Sequence, residues 1–210
     1  MRTALLAFAL SLIFAVPAMA AGCPGKVLFQ DSFATLNPAW NVAPTTASTA
    51  AVKNGKFVIN LLALHTNRSE LYQGDVYTDV TVCVTVQSGA SDKLEDQGAA
   101  ILFWAKDLSS FYVFEVTAAG YFAVERLVGG RWLMPLPAAT SPAIKKGAGQ
   151  ANTLRVQTAG GTATLFINDQ QVGTVAGTPA DGGSLVGFHA DGAVGSLGSW
   201  EFSNFAVTKQ

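Results

Sequence analysis

Two glutamates, Glu115 and Glu125, lie on either side of a predicted hairpin turn at residues 118–120. If that turn is a three-residue loop, Val113 lies opposite Glu125 and Glu115 lies opposite Ala123, so both carboxylates share one face of a sheet. Diagonal cross-strand neighbours are roughly 7 Å apart. Glycoside hydrolysis uses carboxyl pairs separated by roughly 5–9.5 Å. The pair is therefore a candidate catalytic or sugar-binding site.

The same alternation places two aromatic side chains, Tyr121 and Trp132, on the face of the two glutamates. Aromatic rings at an exposed face could stack on a sugar, and the four residues together form a candidate ligand site. The alternative is that the glutamates are solvated, or paired with nearby basic side chains. The predicted face also carries Ile101, Phe103 and Val113.

A second candidate row follows from pairing Ala105 with Phe111 across a turn at residues 106–110. This pairing predicts a core face that contains Leu102 and ends in three side chains, Trp104, Tyr112 and Arg126. The row is either a ligand platform or a packed aromatic–cation stack. A register slip of one residue would move every side chain of a strand to the opposite face.

The spacing of potential metal ligands points to no zinc site, because His65 and His189 are far apart and lack a His-x-x-x-His or Cys/His pattern. His189 ends a predicted strand and is interpreted as an ordinary edge residue. Asp31 and Asn204 lie on strands expected to be neighbours. With a backbone carbonyl they could bind Ca²⁺, which prefers oxygen ligands, or they could cap the strands. No other cofactor is predicted.

The candidate residues are predicted to lie on β-strands. β-Branched and aromatic runs, separated by turn signals such as Asn54-Gly55, Gly129-Gly130 and Gly160-Gly161, recur every 8–12 residues, as in a sandwich or barrel. The predicted strands span residues 76–86, 98–105, 111–117, 121–128, 153–158, 162–167, 171–175, 185–189 and 200–208. No long window has a helical period, so the sequence predicts one all-β domain over residues 21–210.

The N-terminus has the pattern of a secretory signal peptide over residues 1–20. Arg2 precedes an apolar run at residues 4–16, and Ala18-Met19-Ala20 provides small residues at a cleavage site near Ala20. We therefore expect an exported protein, in the periplasm or outside the cell. No later apolar stretch reaches about 18 residues, so no membrane span is expected.

The charge balance restricts the partners. The chain has 13 basic and 14 acidic residues and a formal net charge of -1. Nucleic acid requires a basic stripe, which the sequence lacks. An oligosaccharide or other glycan remains a possible partner, and the sequence does not determine an oligomeric state.

Export implies an oxidising compartment, in which Cys23 and Cys83 are expected to form a disulfide. Closing a loop of about 60 residues stabilises the fold by roughly 4 kcal/mol in the chain-entropy model. The alternative is lipoprotein anchoring at Cys23, although Ala20 stands where such a signal usually has Leu. That alternative would leave Cys83 as a buried thiol.

Segments throughout the mature chain carry a family resemblance, among them "VLFQDSF", "GAAILFWAKDLSSFYVFEV", "NTLRVQTAGGTATLFINDQQV" and "WEFSNFAV". They resemble bacterial secreted domains of the concanavalin A-like lectin/glucanase superfamily, and most of all the 3-keto-disaccharide hydrolase domain family. The resemblance implies a jelly-roll sandwich of two antiparallel sheets with adjacent first and last strands. Lectins, laminin G-like modules and glycosidases share this fold. The Glu-x-Asp-x-x-Glu signature of its glucanases is absent.

Three hypotheses about function follow. The first is a carbohydrate-binding, lectin-like module without a catalytic signature. The second is a glycoside or 3-keto-disaccharide hydrolase that uses Glu115 and Glu125. The third is a structural or adhesive exported domain. The sequence alone does not decide whether the protein is an enzyme.

Overall fold

The computed structural model describes residues 23–43, 45–89, 97–192 and 197–210. The predicted signal peptide lies outside the described residues. Within them the chain forms fourteen strands and a short 3-10 helix, Pro38–Trp40. The strands are β1 (Lys26–Asp31), β2 (Ser48–Lys53), β3 (Lys56–Leu61), β4 (Asn67–Leu71), β5 (Val80–Ser88), β6 (Gly98–Asp107), β7 (Ser110–Thr117), β8 (Tyr121–Val128), β9 (Arg131–Thr140), β10 (Ala151–Ala159), β11 (Thr162–Ile167), β12 (Gln170–Ala176), β13 (Leu185–Asp191) and β14 (Gly198–Lys209). No described helix is long and apolar enough to cross a membrane.

The strands form two antiparallel sheets, which confirms the predicted all-β sandwich. The eight-stranded sheet has the order β12-β11-β10-β5-β14-β3-β2, and β1 also pairs with β14. The six-stranded sheet has the order β4-β13-β6-β7-β8-β9. The first and last strands are adjacent, as predicted: β14 pairs with β3 through its first half and with β1 through its second half.

The core lies between the two sheets because alternate side chains of each strand point inward. β3 and β10 alternate between buried and half-buried residues along most of their length. Aromatic rings fill one end of the core, where Phe188 and Phe202 from opposite sheets stack with centroids 4.5 Å apart. The indole of Trp40 also lies in this core and donates a hydrogen bond to Asp31 Oδ2 at 2.9 Å.

A disulfide joins Cys23 to Cys83, with the two Cα atoms 5.8 Å apart. Cys83 lies in β5, which is a central strand of the eight-stranded sheet. The bond therefore fixes the segment before β1 to the middle of that sheet. The prediction that these two cysteines are paired is confirmed.

The register between β7 and β8 is the predicted one: Val113 lies opposite Glu125 and Glu115 lies opposite Ala123. The predicted register between β6 and β7 was wrong by one residue. Phe103, not Trp104, lies opposite Tyr112. Consequently Ile101 and Phe103 face the core between the sheets, whereas Leu102 lies on the opposite face with Val113.

Two features cause this difference: the turn is the two-residue Leu108-Ser109, with Asp107 opposite Ser110, rather than the predicted residues 106–110, and β6 contains a bulge. Residues 104–106 lie opposite the single residue Phe111, and Trp104 has a left-handed backbone with φ of 47°. That conformation costs a bulky residue about 1–2 kcal/mol. The bulge places the consecutive residues Phe103 and Trp104 both in the inner core. Periodicity cannot reveal such an insertion, because the strand alternates normally on either side of it.

Candidate functional site

The outer face of the six-stranded sheet, turned away from the other sheet, carries both candidate glutamates. Cross-strand pairing aligns one row of this face as Ser69, His189, Ala100, Glu115 and Ala123. The next row towards the strand ends is Asn67, Asp191, Gly98 and Thr117. Glu125 lies in the row on the other side, opposite Val113. Polar side chains from four strands therefore meet on one surface.

An apolar layer forms one half of this face. It contains buried side chains from β4, β6 and β7, with Leu127 and Leu185 packed against them. Its buried members are Leu71, Ala100, Leu102, Ala105, Phe111 and Val113. The polar groups therefore lie beside an apolar surface, where electrostatic interactions are stronger than in water.

The carboxyl group of Glu115 lies directly over Gly98 on the neighbouring strand. A Cβ atom at position 98 would stand 1.3 Å from Glu115 Oε1. Burial raises the pKa of Glu115 well above its usual range, and the negative charges of Asp191 and Glu125 raise it further. Burial also raises the pKa of Glu125, together with the charge of Asp191, whereas His189 lowers it. We call Glu115, Glu125 and Asp191 the carboxylate cluster.

A hydrogen-bonded chain links this cluster to β4. His189 Nε2 lies 3.0 Å from Asp191 Oδ2, and His189 Nδ1 lies 2.7 Å from Ser69 Oγ. The imidazole is buried, whereas Asp191 keeps 29% of its side-chain surface exposed. Both ring nitrogens of His189 are therefore within hydrogen-bond distance of a polar side chain. The chain holds Asp191 Oδ2 in place.

The interpretation of His189 as an ordinary edge residue was wrong. Its strand, β13, lies between β4 and β6, so the ring is in the interior of the sheet. Sequence reasoning also missed Ser69 and Asp191. One signal was available: His189 and Asp191 are two residues apart in a strand and therefore share a face.

The two exposed aromatic candidates lie at different places on the same outer face. Tyr121 lines an open depression of about 810 Å³ together with Glu115, Thr117 and Asp191. Trp132, on the edge strand β9, is 45% exposed and packs edge-to-face on Phe111 with centroids 5.8 Å apart. Both rings retain free surface, which a sugar ring could cover.

The second predicted row lies in the interior. Trp104 and Tyr112 are buried, with ring centroids 5.2 Å apart, and the guanidinium of Arg126 lies 4.9 Å from the Tyr112 centroid. The Thr178 amide donates to the Tyr112 hydroxyl at 3.1 Å. This arrangement is the packed aromatic–cation stack rather than an exposed platform.

The calcium candidates have protein partners. The Asp31 carboxylate accepts hydrogen bonds from the Phe33 amide, at 2.7 Å, and from the Trp40 indole. Asn204 lies at the bulge of β14 with φ of 53°, and its amide is 3.4 Å from Thr85 Oγ1. Across the described part of the chain, no group of three or more His, Cys, Asp or Glu side chains is arranged to hold a metal ion.

At the level of sequence, no family model and no curated protein matches the chain. Its fold is similar to solved structures. A β-glucanase from Bacillus licheniformis superposes with a TM-score of 0.62 at 11% identity, covering 89% of this chain and 99% of that one. A carbohydrate-binding module from Bacillus subtilis superposes with a TM-score of 0.52 at 14% identity, covering 89% of this chain and 99% of that one.

The catalytic domain of an endo-1,3-β-glucanase from Thermotoga petrophila superposes with a TM-score of 0.59 at 9% identity, covering 88% of this chain and 98% of that one. At these identities the likeness concerns the fold alone. The two sheets and these neighbours identify the concanavalin A-like jelly roll that the sequence predicted.

Proposed function

We propose that the outer face of the six-stranded sheet binds a glycan. The observation that carries the proposal is the open depression lined by Glu115, Asp191 and the exposed ring of Tyr121, on the same outer face that carries Glu125 and the exposed ring of Trp132. Carboxylates accept hydrogen bonds from sugar hydroxyls, and aromatic rings pack against the apolar faces of sugars. A pocket with an apolar layer and a few convergent polar groups is typical of small-ligand sites. Three acids in one cluster favour a neutral glycan over an anionic one.

The experiment is a glycan array followed by calorimetric titration of the strongest hit. We expect Trp132→Ala to abolish binding while the thermal melt stays close to that of the wild type, because the ring is 45% exposed. Leu133→Ala is the matched control, since Leu133 is 48% exposed on the same strand and pairs with Arg126 rather than facing the cluster. Binding that survives Trp132→Ala would contradict the proposal.

A second candidate function is hydrolysis of a glycoside, including the 3-keto-disaccharide chemistry that the sequence resemblance implies. The observation in its favour is the raised pKa of Glu115 beside two further acids. A carboxyl group kept protonated can act as a general acid, and a neighbouring carboxylate can act as base or nucleophile. Mass spectrometry of the array hit after incubation would detect cleavage. Glu115→Gln should abolish it, whereas Glu201→Gln on the other sheet should not.

We further propose that the protein is exported, with residues 1–20 removed. The disulfide between Cys23 and Cys83 supports this, since such bonds persist in oxidising compartments. N-terminal sequencing of the protein from its native host should find a start near Ala21. A diacylglyceryl group on Cys23 would contradict both the disulfide and this cleavage site.

A further inference from the structure

A cavity of about 480 Å³ opens between the two sheets at one end of the sandwich. Val80 and Val82 of β5 form one wall, and Phe103, Trp104 and Val186 of the six-stranded sheet form the other. β6 and β13 separate it from the outer face, so it does not belong to the proposed glycan site. Protein interiors have few voids larger than a water molecule, whereas cavities of about 300–1,000 Å³ hold small ligands.

The bulge in β6 builds one wall of this cavity. It turns the Trp104 ring inward beside Phe103, so that both consecutive residues line the space. A left-handed backbone at a bulky residue is unfavourable and is often found at functional sites. The strained residue Trp104 therefore lies in the wall of the cavity.

Residues 179–184 line the cavity, and the segment that contains them, Gly177 to Ser184, is hydrogen-bonded at both ends. At its start, the Gly177 amide donates to the Gly161 carbonyl at 2.9 Å. At its end, the Ser184 and Tyr77 backbones exchange two hydrogen bonds of 2.9 Å. The cavity is therefore a preformed feature of the fold.

The hydroxyl of Tyr77 is a polar group in the lining of the cavity. It is buried and has no hydrogen-bond partner among the described residues. Burial, followed by the nearby charge of Asp75, raises the pKa of Tyr77, so the group stays protonated and can donate. A buried donor without an acceptor is costly, and an acceptor on a ligand would satisfy it.

The charges on the lining restrict the ligand further. Asp79 and Asp181 are exposed, and no Lys, Arg or His is among the described lining residues. An anion would meet two negative charges without a counterion. We infer that this cavity binds an uncharged small molecule with an aromatic or other apolar body and one acceptor oxygen, which the Tyr77 hydroxyl recognises.

The test uses three probes of similar size: acetophenone, which has an acceptor oxygen, ethylbenzene, which has none, and benzoate, which is anionic. Binding is followed by NMR titration of the Trp104 indole N–H. We expect acetophenone to bind about five-fold more tightly than ethylbenzene, the worth of about one hydrogen bond, and benzoate not to bind. In Tyr77→Phe the two neutral probes should bind equally.

Two variants complete the test. Ala180→Trp should fill the cavity and abolish binding of both neutral probes, with a thermal melt to verify folding. Tyr121→Phe, on the outer face, is the matched control and should leave the acetophenone preference intact. The inference is overturned if no probe shifts the Trp104 signal, if benzoate binds as well as acetophenone, or if Tyr77→Phe keeps the preference.

Discussion

Glu115 and Gly98 form a matched pair across β6 and β7, because the carboxyl group of Glu115 occupies the space that a side chain at position 98 would take. A Cβ there would lie 1.3 Å from Oε1 and 2.7 Å from Cγ of Glu115. The absence of a side chain at position 98 thus lets a partly buried carboxyl group lie flat on the sheet, next to Asp191. Without that space, Glu115 would have to leave the carboxylate cluster.

The first prediction concerns this pair. Gly98→Ala should force the Glu115 side chain away and destabilise the protein by about 1–3 kcal/mol, the usual cost of overpacking. It should also remove glycan binding. In a Glu115→Ala background, the same substitution should cost much less, because the clashing atoms are gone. Urea denaturation of the four proteins measures this coupling, and equal costs in both backgrounds would contradict the contact.

The second prediction concerns Glu115 and pH. Burial and the charges of Asp191 and Glu125 raise its pKa in the folded state, so the folded protein binds this proton more strongly than the unfolded chain. The stabilising contribution of the Glu115 carboxyl group is therefore lost as pH rises from the pKa of an ordinary glutamate through the raised pKa of the folded state. Glu115→Gln should raise Tm at pH 7, by about 2–4 °C for each kcal/mol recovered.

The gain should disappear below pH about 4, where Glu115 is protonated in both states. Glu201→Gln is the control, since Glu201 is half-buried on the other sheet and pairs with Lys56. Glu201→Gln should not produce a gain in Tm that grows with pH. Thermal melts across this range check the prediction, and a gain that is equal at pH 4 and pH 7 would point to packing instead.

A third prediction concerns the chain through His189. Ser69→Ala should leave the Nδ1 atom of the buried imidazole without its partner, which costs about 1–3 kcal/mol. Ser32→Ala, at an exposed serine, should change stability by less than about 0.5 kcal/mol. Chemical denaturation measures both. If the hydroxyl also positions Asp191 through the ring, glycan affinity should fall in Ser69→Ala but not in Ser32→Ala.

The disulfide gives a fourth prediction. Replacing both Cys23 and Cys83 with Ser should lower the free energy of unfolding by roughly 4 kcal/mol, because the unfolded chain regains the freedom of a long loop. Urea denaturation measures the loss. Alkylation and mass spectrometry of the wild-type protein should find no free thiol on either residue, and two modified thiols would contradict the bond.

The register that brings Glu115 and Glu125 to one face could be predicted from the sequence, because a short turn joins the two strands. A three-residue turn at 118–120 joins β7 to β8, and the Gly120 amide closes it on the Thr117 carbonyl at 3.0 Å. Turn length fixes the pairing of the two strands it connects. The same reasoning failed across β6 and β7, because the turn there is Leu108-Ser109 rather than residues 106–110 and a bulge at Trp104 lies beyond it.

Tertiary structure alone decided the rest of the candidate site. Asp191 and His189 come from β13 and Ser69 from β4, strands that are remote in sequence from β7 but lie on the same sheet. Their approach depends on the order of strands in that sheet, which no local pattern specifies.

The class of fold, the disulfide and one hairpin could therefore be predicted from the sequence, since alternation, turn residues and paired cysteines act locally or through composition. The turn and the bulge of β6 decided that Leu102 faces outward and Trp104 inward, and the pairing of strands distant in sequence brought Asp191 beside Glu115 and Gly98. Which of these side chains is buried depends on the surfaces that pack against each other, and those surfaces form only when the two sheets have assembled.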